Sequence, residues 1–202
     1  GIMMKESSPF FHGISFETET GVVVDNIPLR GSSGLEFIKL DTIITGRMVQ
    51  KLNPSLIILQ FGVNVSTTVT SDYGFYRKRL KRQIYHLKKL CPGVPVLVIG
   101  ISDISVRNGE NYETAPHVEK ILKAQREAAL GTHCCFWDLY SAMGGKNSMP
   151  SWVFSKPPLA QKDFLHFNPR GAGIVGEMLF NALAIGYQDY THKIKGSDAV
   201  NK

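Results

Sequence analysis

Three short motifs contain residue types suited to acyl or proton transfer; two of them follow apolar stretches of the chain, and the third precedes a predicted helix. Asp163 and His166 stand three residues apart, a spacing at which a carboxylate can hold an imidazole through Nδ1–H and leave Nε2 free as a base. Asn64 follows a continuous apolar run, from which its amide can point into a crevice. Gly31 lies in a turn-like segment, where a residue without a Cβ lets its backbone N–H approach a bound oxyanion. Each motif alone is more often a turn, cap or packing feature, so the surrounding elements have to decide.

The segments around these motifs alternate between strand patterns and helix patterns. We predict strands over residues 20–26, 56–61, 96–101 and 134–139, and helices over 35–52, 72–90, 115–130 and from Asn168-Pro169 onward. Because a helix connects each strand to the next, this order predicts a three-layer α/β/α fold with a parallel sheet. The loops after the strands should then share the carboxyl edge of the sheet, where such folds bind ligands.

Composition and charge exclude several classes of protein. With 202 residues, 43% hydrophobic and 20% charged, the chain is long enough and apolar enough to fold as one globular domain. The longest apolar run, residues 94–101, is far shorter than the ~18 residues that span a bilayer. Three cysteines are too few for a disulfide framework. The net charge of +6 is concentrated in the predicted helix over 72–90, as a solvated face or as a surface for an anionic partner. We expect no nucleic-acid partner.

In chain order, the three motifs resemble the SGNH, or GDSL-type, hydrolase family, whose four sequence blocks supply Ser, Gly, Asn and His. Gly31 matches the second block, Asn64 the third, and Asp163 with His166 the D-x-x-H of the last. The segments GVVVDNIPLRGSSG, LIILQFGVN, FWDLYSAMGGKNSM and KDFLHFNPRGAGIVGEML are similar to bacterial two-part members related to peptidoglycan and carbohydrate O-acetylesterases. The resemblance covers about residues 13–185 and implies a flavodoxin-like parallel sheet.

The resemblance also implies a mechanism. His166 would be the general base, Asp163 its orienting carboxylate, and the Gly31 N–H with the Asn64 amide the oxyanion hole. The reaction would be hydrolysis of an O-acylated glycan or another ester through an acyl-serine intermediate, with no metal and no cofactor. Family members of this kind imply an extracytoplasmic location in a bacterium, although the sequence shows no signal peptide and no membrane span.

The chain departs from the family pattern at the nucleophile, because no Gly-Asp-Ser occurs in it. In the related O-acetylesterases a jelly-roll domain follows the serine block, and residues 8–17 resemble its exit strand. We therefore predict that residues 1–18 are an arm left from that domain, residues 19–190 a partial hydrolase domain, and residues 191–202 a polar tail. The first, serine-bearing strand would belong to an upstream segment of the same protein, and this chain alone would be nearly inactive.

The missing strand would leave an open slot between the strands beginning near residues 20 and 56. The arm, especially residues 10–16, or a second copy of the chain is the expected occupant. Ser32 and Ser33 follow Gly31 directly, but they lack the G-x-S-x-G pattern of a nucleophile elbow.

Several further residues are candidates for substrate contact. These are Ser32, Ser102, Asp103 and Met149, with residues 143–149 and Trp152 as a possible lid or acyl-group wall. The alternative function is a non-catalytic glycan-binding or scaffolding pseudoenzyme. The joint presence of all four accessory residues favours the enzyme, because a decayed site has no reason to keep every one of them.

Overall fold

The computed structural model describes residue 16 and residues 18–200, with side chains as far as residue 193. The strands are β1 (Ile57–Gln60), β2 (Val96–Ile99), β3 (Ser105–Asn108), β4 (Asn111–Thr114) and β5 (Cys135–Trp137). The helices are α1 (Thr42–Leu52), α2 (Gly74–Leu90), α3 (Val118–Leu130), α4 (Leu139–Ala142), α5 (Ser148–Phe154) and α6 (Pro169–Val200), with 3₁₀ turns at Phe37–Lys39 and Val63–Val65. The chain forms two compact units, Gly1–Arg30 and Gly31–Lys202.

The predicted strand over residues 20–26 is wrong. The described residues of the first unit, 16 and 18–30, form no strand or helix, and Val22 is 90% exposed. A β-branched apolar run becomes a strand only when a neighbouring strand pairs with its backbone groups, and no described segment pairs with this one. Most of the arm predicted to fill the sheet, residues 10–15, lies outside the described residues.

The predicted parallel sheet is confirmed in the second unit. Its order is β1-β2-β5, with Ile57 beside Val96 and Leu97 beside Cys135. All four residues of the central strand β2 are buried, as its continuous apolar run predicts. Helices α2 and α3 pack together, and the apolar residues that recur at helical spacing along α2 form its buried face: Tyr76, Leu80, Ile84 and Leu87. The fold is therefore a parallel α/β sheet with flanking helices.

Among the described residues one edge of this sheet is open at β1, beside which the sequence analysis predicted an open slot. Among the described residues β1 pairs only with β2, and Ile58 is 44% exposed. Helix α1, which precedes β1, buries none of its residues. The single helix predicted over 35–52 is also wrong: the chain turns at Leu40, and Asp41 caps a new helix by accepting from the N–H groups of the second and third residues of α1.

Three elements on the carboxyl side of the sheet were not predicted: the antiparallel hairpin β3–β4 and the short helices α4 and α5. The hairpin turns at Gly109 and Glu110, with Asn108 paired to Asn111. A glycine with positive φ at the first of two turn residues is typical of a hairpin, but the flanking strands are short and polar. The helix predicted from Asn168-Pro169 is α6, and Asn168 Oδ1 accepts the N–H of Gly171.

Helix α6 continues through the predicted polar tail to Val200. Within the described residues, no helix combines the length and the apolarity needed to cross a membrane. The predicted domain limits at residues 18 and 190 remain predictions.

Candidate active site

Asp163 and His166 form a hydrogen-bonded pair in a tight loop before α6. Asp163 Oδ2 lies 2.8 Å from His166 Nδ1, and Asp163 Oδ1 accepts the backbone N–H groups of Leu165 and His166 at 3.0 Å each. Both side chains are partly open to solvent, 43% for Asp163 and 59% for His166. With Nδ1 protonated, the ring donates to the carboxylate and leaves Nε2 as the available base.

The environment of Asp163 favours the carboxylate form. Partial burial by itself would raise its pKa, but the hydrogen bonds from the His166 ring and from the backbone N–H groups outweigh this effect and lower the pKa below its usual value. Asp163 is therefore ionised at neutral pH and can stabilise a positive charge on the imidazole.

Backbone contacts close this loop. Ala160 pairs with Phe167 in an antiparallel bridge, and the Gln161 N–H donates to the His166 carbonyl at 2.8 Å. Phe164 has a φ of 57°, a left-handed conformation that is unfavourable by about 1–2 kcal/mol for a residue with a Cβ. This turn directs the next two N–H groups toward the Asp163 carboxylate.

The Gly31 turn and Asn64 form a second group. Asn64 Nδ2 donates to the Ser32 carbonyl at 2.9 Å, which leaves the second amide hydrogen available. Gly31 has a φ of 73°, which favours glycine, and a Cβ built there would meet nothing within 4 Å. The turn therefore needs glycine for its conformation, and the space beside it is open.

The two groups lie at the same edge of the sheet. Asn64 follows the carboxyl end of β1, and the loop that carries the pair is bonded to the segment after β2, where the Ser105 N–H donates to the Phe164 carbonyl at 3.1 Å. Leu165 also belongs to the same hydrophobic cluster as Val63 and Val65, the neighbours of Asn64. No hydrogen bond among the described residues joins the two groups directly.

Gln125, which sequence reasoning missed, ties the loops after β1 and β2 together. It is buried on α3, accepts the Ile101 N–H at 2.8 Å and donates to the Phe61 carbonyl at 2.8 Å. A glutamine on the apolar face of a helix was the available signal. Gly62 passes so close that a Cβ would lie 2.9 Å from Gln125 Nε2.

Ser32 is buried, and its hydroxyl is fully engaged. The hydroxyl donates to the Glu36 carboxylate and accepts the Gly34 N–H at 2.9 Å. Glu36 also accepts the Leu35 N–H, so the serine and the carboxylate together form the turn. In this arrangement the Ser32 proton is directed to Glu36 within the turn and not to His166.

The other candidate contact residues take part in internal packing. Ser102, Asp103 and Met149 are buried, and Asp103 accepts the Thr114 hydroxyl at 2.7 Å and the Met149 N–H at 2.8 Å. Trp152, predicted as part of a lid or acyl-group wall, is buried and donates through Nε1 to a backbone carbonyl. Contact of these residues with a substrate remains a prediction.

Comparison with known proteins identifies the family of the chain and similar folds. A model of the GDSL-like lipase/acylhydrolase family matches residues 15–174. Among solved structures, the chain is similar to a peptidoglycan O-acetylesterase, with a TM-score of 0.70 and 22% identity over 79% of this chain and 45% of that one. It is also similar to an acetyl xylan esterase, with a TM-score of 0.53 and 18% identity over 76% and 77% of the two chains.

A third similar structure is a lipase/acylhydrolase from Enterococcus faecalis, with a TM-score of 0.53 and 19% identity over 76% of this chain and 71% of that one. No curated protein matches the sequence. The chain spans less than half the length of the peptidoglycan O-acetylesterase chain that it matches. At these identities the structures bear on the fold, and the family match extends over most of the chain. The chain belongs to the GDSL-like lipase/acylhydrolase family.

Proposed function

We propose that this protein hydrolyses acyl esters, specifically O-acetyl groups on a glycan or on peptidoglycan, through an acyl-serine intermediate. The observation that carries the proposal is the Asp163–His166 pair, in which an ionised carboxylate holds Nδ1 and leaves Nε2 accessible. This is the arrangement of a base that removes a proton from a hydroxyl nucleophile.

In the proposed reaction His166 Nε2 takes the proton from a serine hydroxyl as the oxygen attacks the ester carbonyl. Asp163 stabilises the resulting imidazolium, and the Gly31 N–H and the Asn64 amide donate to the oxyanion. His166 then protonates the sugar oxygen as its bond to the acyl carbon breaks, which releases the sugar hydroxyl and leaves the acyl-serine. Water attacks the acyl-serine in turn, with His166 as the base, and releases the acid and the free serine. Removal of one oxyanion donor typically costs about 2.7–4 kcal/mol of transition-state stabilisation.

The nucleophile is proposed to come from an upstream segment of the same protein. Gly-Asp-Ser does not occur in the 202 residues, and the Ser32 hydroxyl is bonded to Glu36. The open side of β1, with exposed apolar residues on β1 and α1, supports docking of an additional strand there. Without that segment the chain would lose activity on the order of 10⁶-fold, as triads do without their serine.

The substrate class and the location follow from the family resemblance of the sequence. The names of two similar structures, a peptidoglycan O-acetylesterase and an acetyl xylan esterase, are consistent with acetylated carbohydrate. An enzyme acting on such polymers would work outside the cytoplasm, and we propose that location for the parent protein.

The test is hydrolysis of a chromogenic acetate ester by this chain and by a version extended upstream to include a Gly-Asp-Ser block. We expect activity only in the extended version, abolished by His166→Ala and unchanged by His192→Ala, an exposed histidine on α6. Activity of the short chain that is abolished by Ser32→Ala or Ser33→Ala would refute the proposed source of the nucleophile. Inactivity of both versions, with retained binding to an acetylated glycan, would favour the pseudoenzyme.

A further inference from the structure

Phe164 stands between the two members of the pair, but its surroundings are opposite to theirs. Asp163 and His166 are partly exposed, whereas the Phe164 side chain is buried in a hydrophobic cluster that also contains Met149 and Trp152. Phe164 is also the residue of this loop with a left-handed backbone. One buried residue with an unfavourable backbone conformation thus lies between the two exposed members of the pair.

The ring of Phe164 is held by two other aromatic rings. Tyr112 stacks on it with centroids 3.6 Å apart and planes inclined by only 11°. Phe154, at the end of α5, meets it edge-on with centroids 5.6 Å apart. Of these contacts the Tyr112 stack is the closer. Its two rings overlap almost face to face, so dispersion and burial hold them together, whereas the edge-on contact with Phe154 has an arrangement that aromatic pairs prefer.

The backbone of Phe164 is held by the same hairpin that carries Tyr112. Tyr112 lies on β4, and Ser105, whose N–H donates to the Phe164 carbonyl, is the first residue of β3. The hairpin therefore contacts Phe164 through a side chain and through the backbone at once. The sequence did not predict this hairpin, and the reaction proposed above uses none of its residues.

We propose that Tyr112 is a positioning residue, which through its stack on Phe164 keeps the Asp163–His166 pair in its hydrogen-bonded geometry. The geometric part of this inference is independent of the reaction, and its catalytic consequence rests on the proposed function. The chemical reason is that the left-handed backbone at Phe164 allows Asp163 to accept from Leu165 and His166 together. Without the stack, Phe164 relaxes toward an ordinary conformation and these two N–H groups turn away.

The experiment compares Tyr112→Ala with Tyr112→Phe, which keeps the ring and removes only the hydroxyl. The first readout is the pKa of the Asp163 carboxyl, which is measured by ¹³C NMR in the isolated chain. This measurement needs no enzymatic activity. We expect this pKa to rise toward its ordinary value in Tyr112→Ala and to stay low in Tyr112→Phe. Tyr187→Ala, which removes an exposed tyrosine from α6, is the matched control and should leave the pKa unchanged.

The second readout is ester hydrolysis by the extended enzyme. We expect kcat to fall by about 10²-fold in Tyr112→Ala, as displacement of a catalytic group by about 1 Å can cause, with recovery in Tyr112→Phe. Tyr112→Leu keeps apolar bulk without the ring, so it provides a test if the alanine variant fails to fold. We expect an intermediate rise of the Asp163 pKa in it.

An unchanged Asp163 pKa in folded Tyr112→Ala or Tyr112→Leu would overturn the inference, whatever the activity. A raised pKa in Tyr112→Ala, together with hydrolysis that is insensitive to His166→Ala, would support the positioning role and refute the proposed function instead. The two claims therefore fail separately.

Discussion

Removal of the Asp103 carboxylate should destabilise the carboxyl side of the sheet. Asp103 is fully buried in the loop after β2. Its Oδ1 accepts the Thr114 hydroxyl from β4, its Oδ2 accepts the Met149 N–H from α5, and its own N–H lies 3.1 Å from the Met143 sulfur. One side chain thus joins three segments that are distant in sequence, two of which border the loop that carries Asp163 and His166.

The expected magnitude follows from what each substitution leaves unpaired. Asp103→Ala leaves the buried Met149 N–H without an acceptor, which costs about 1–3 kcal/mol, and removes a charge-assisted bond to Thr114. Relief of the buried charge offsets part of this loss. We therefore expect the free energy of unfolding to fall by about 2–3 kcal/mol. In Asp103→Asn the amide oxygen can still accept from Met149 and the amide nitrogen can donate to the Thr114 hydroxyl, so the loss should stay below about 1 kcal/mol.

The assay is urea unfolding of each variant, followed by far-UV circular dichroism and tryptophan fluorescence to test for a single transition. Asp189→Ala provides the control, since Asp189 is exposed on α6 and its loss should change stability by less than about 0.5 kcal/mol. The sequence also made Asp103 a candidate for substrate contact, and the same variants separate the two roles in the extended enzyme.

An Asp103→Ala variant as stable as the wild type would refute this reasoning. If its stability were unchanged while KM for the ester rose, Asp103 would contact the substrate instead of joining the loops. A loss in Asp103→Asn as large as that in Asp103→Ala would show that the charge, and not the hydrogen-bonding pattern, stabilises this region.

Three further predictions concern stability, each measured by urea unfolding. Gly171→Ala should lower the free energy of unfolding, because its Cβ would overlap a backbone carbonyl of the preceding loop. Gly173→Ala should instead stabilise α6 by up to about 1 kcal/mol, because a Cβ there meets nothing within 4 Å. Equal effects of the two substitutions would contradict this prediction. Ile121→Ala should lower the free energy of unfolding by about 2–5 kcal/mol, because the Ile121 side chain is fully buried. Ile43→Ala, on the exposed side of α1, should lower it by less than about 0.5 kcal/mol. A larger loss in Ile43→Ala would show that this side of α1 is covered. The pKa of Asp163 is lower in the folded protein than its ordinary value of 3.8. The ionised Asp163 carboxylate therefore contributes its full stabilisation above pH 3.8, and this contribution is lost as the pH falls through the folded-state pKa. The wild type and Asp163→Asn should accordingly become more similar in free energy of unfolding as the pH is lowered.

The elements predicted correctly are those with a strong local signal. The sequence predicts the strands β1, β2 and β5 from their apolar runs and the helix α2 from its apolar stripe. These patterns can be recognised because side chains repeat their direction with a fixed period in strands and in helices. The Asp163–His166 hydrogen bond could also be predicted from local sequence, because a spacing of three residues allows the carboxylate to reach the imidazole ring.

The two wrong element predictions have different causes. The run over residues 20–26 has the composition of a strand, but strand formation also needs a neighbour, and the described chain gives it none. The single helix over 35–52 failed at Leu40, where the chain extends and Asp41 caps a new helix. Periodicity alone could not locate that break.

The sequence by itself determined the family, the alternation of strands and helices that makes the sheet parallel, and which carboxylate pairs with which imidazole. These features depend on short motifs and on the spacing of apolar residues, which are local properties of the chain. Only the tertiary structure decided what surrounds that pair: the hairpin that stacks Tyr112 on Phe164, and the burial of Asp103 between three segments. It also showed how much apolar surface β1 and α1 leave exposed. These features arise where segments far apart in sequence meet, and packing between such segments leaves no periodic mark on either one.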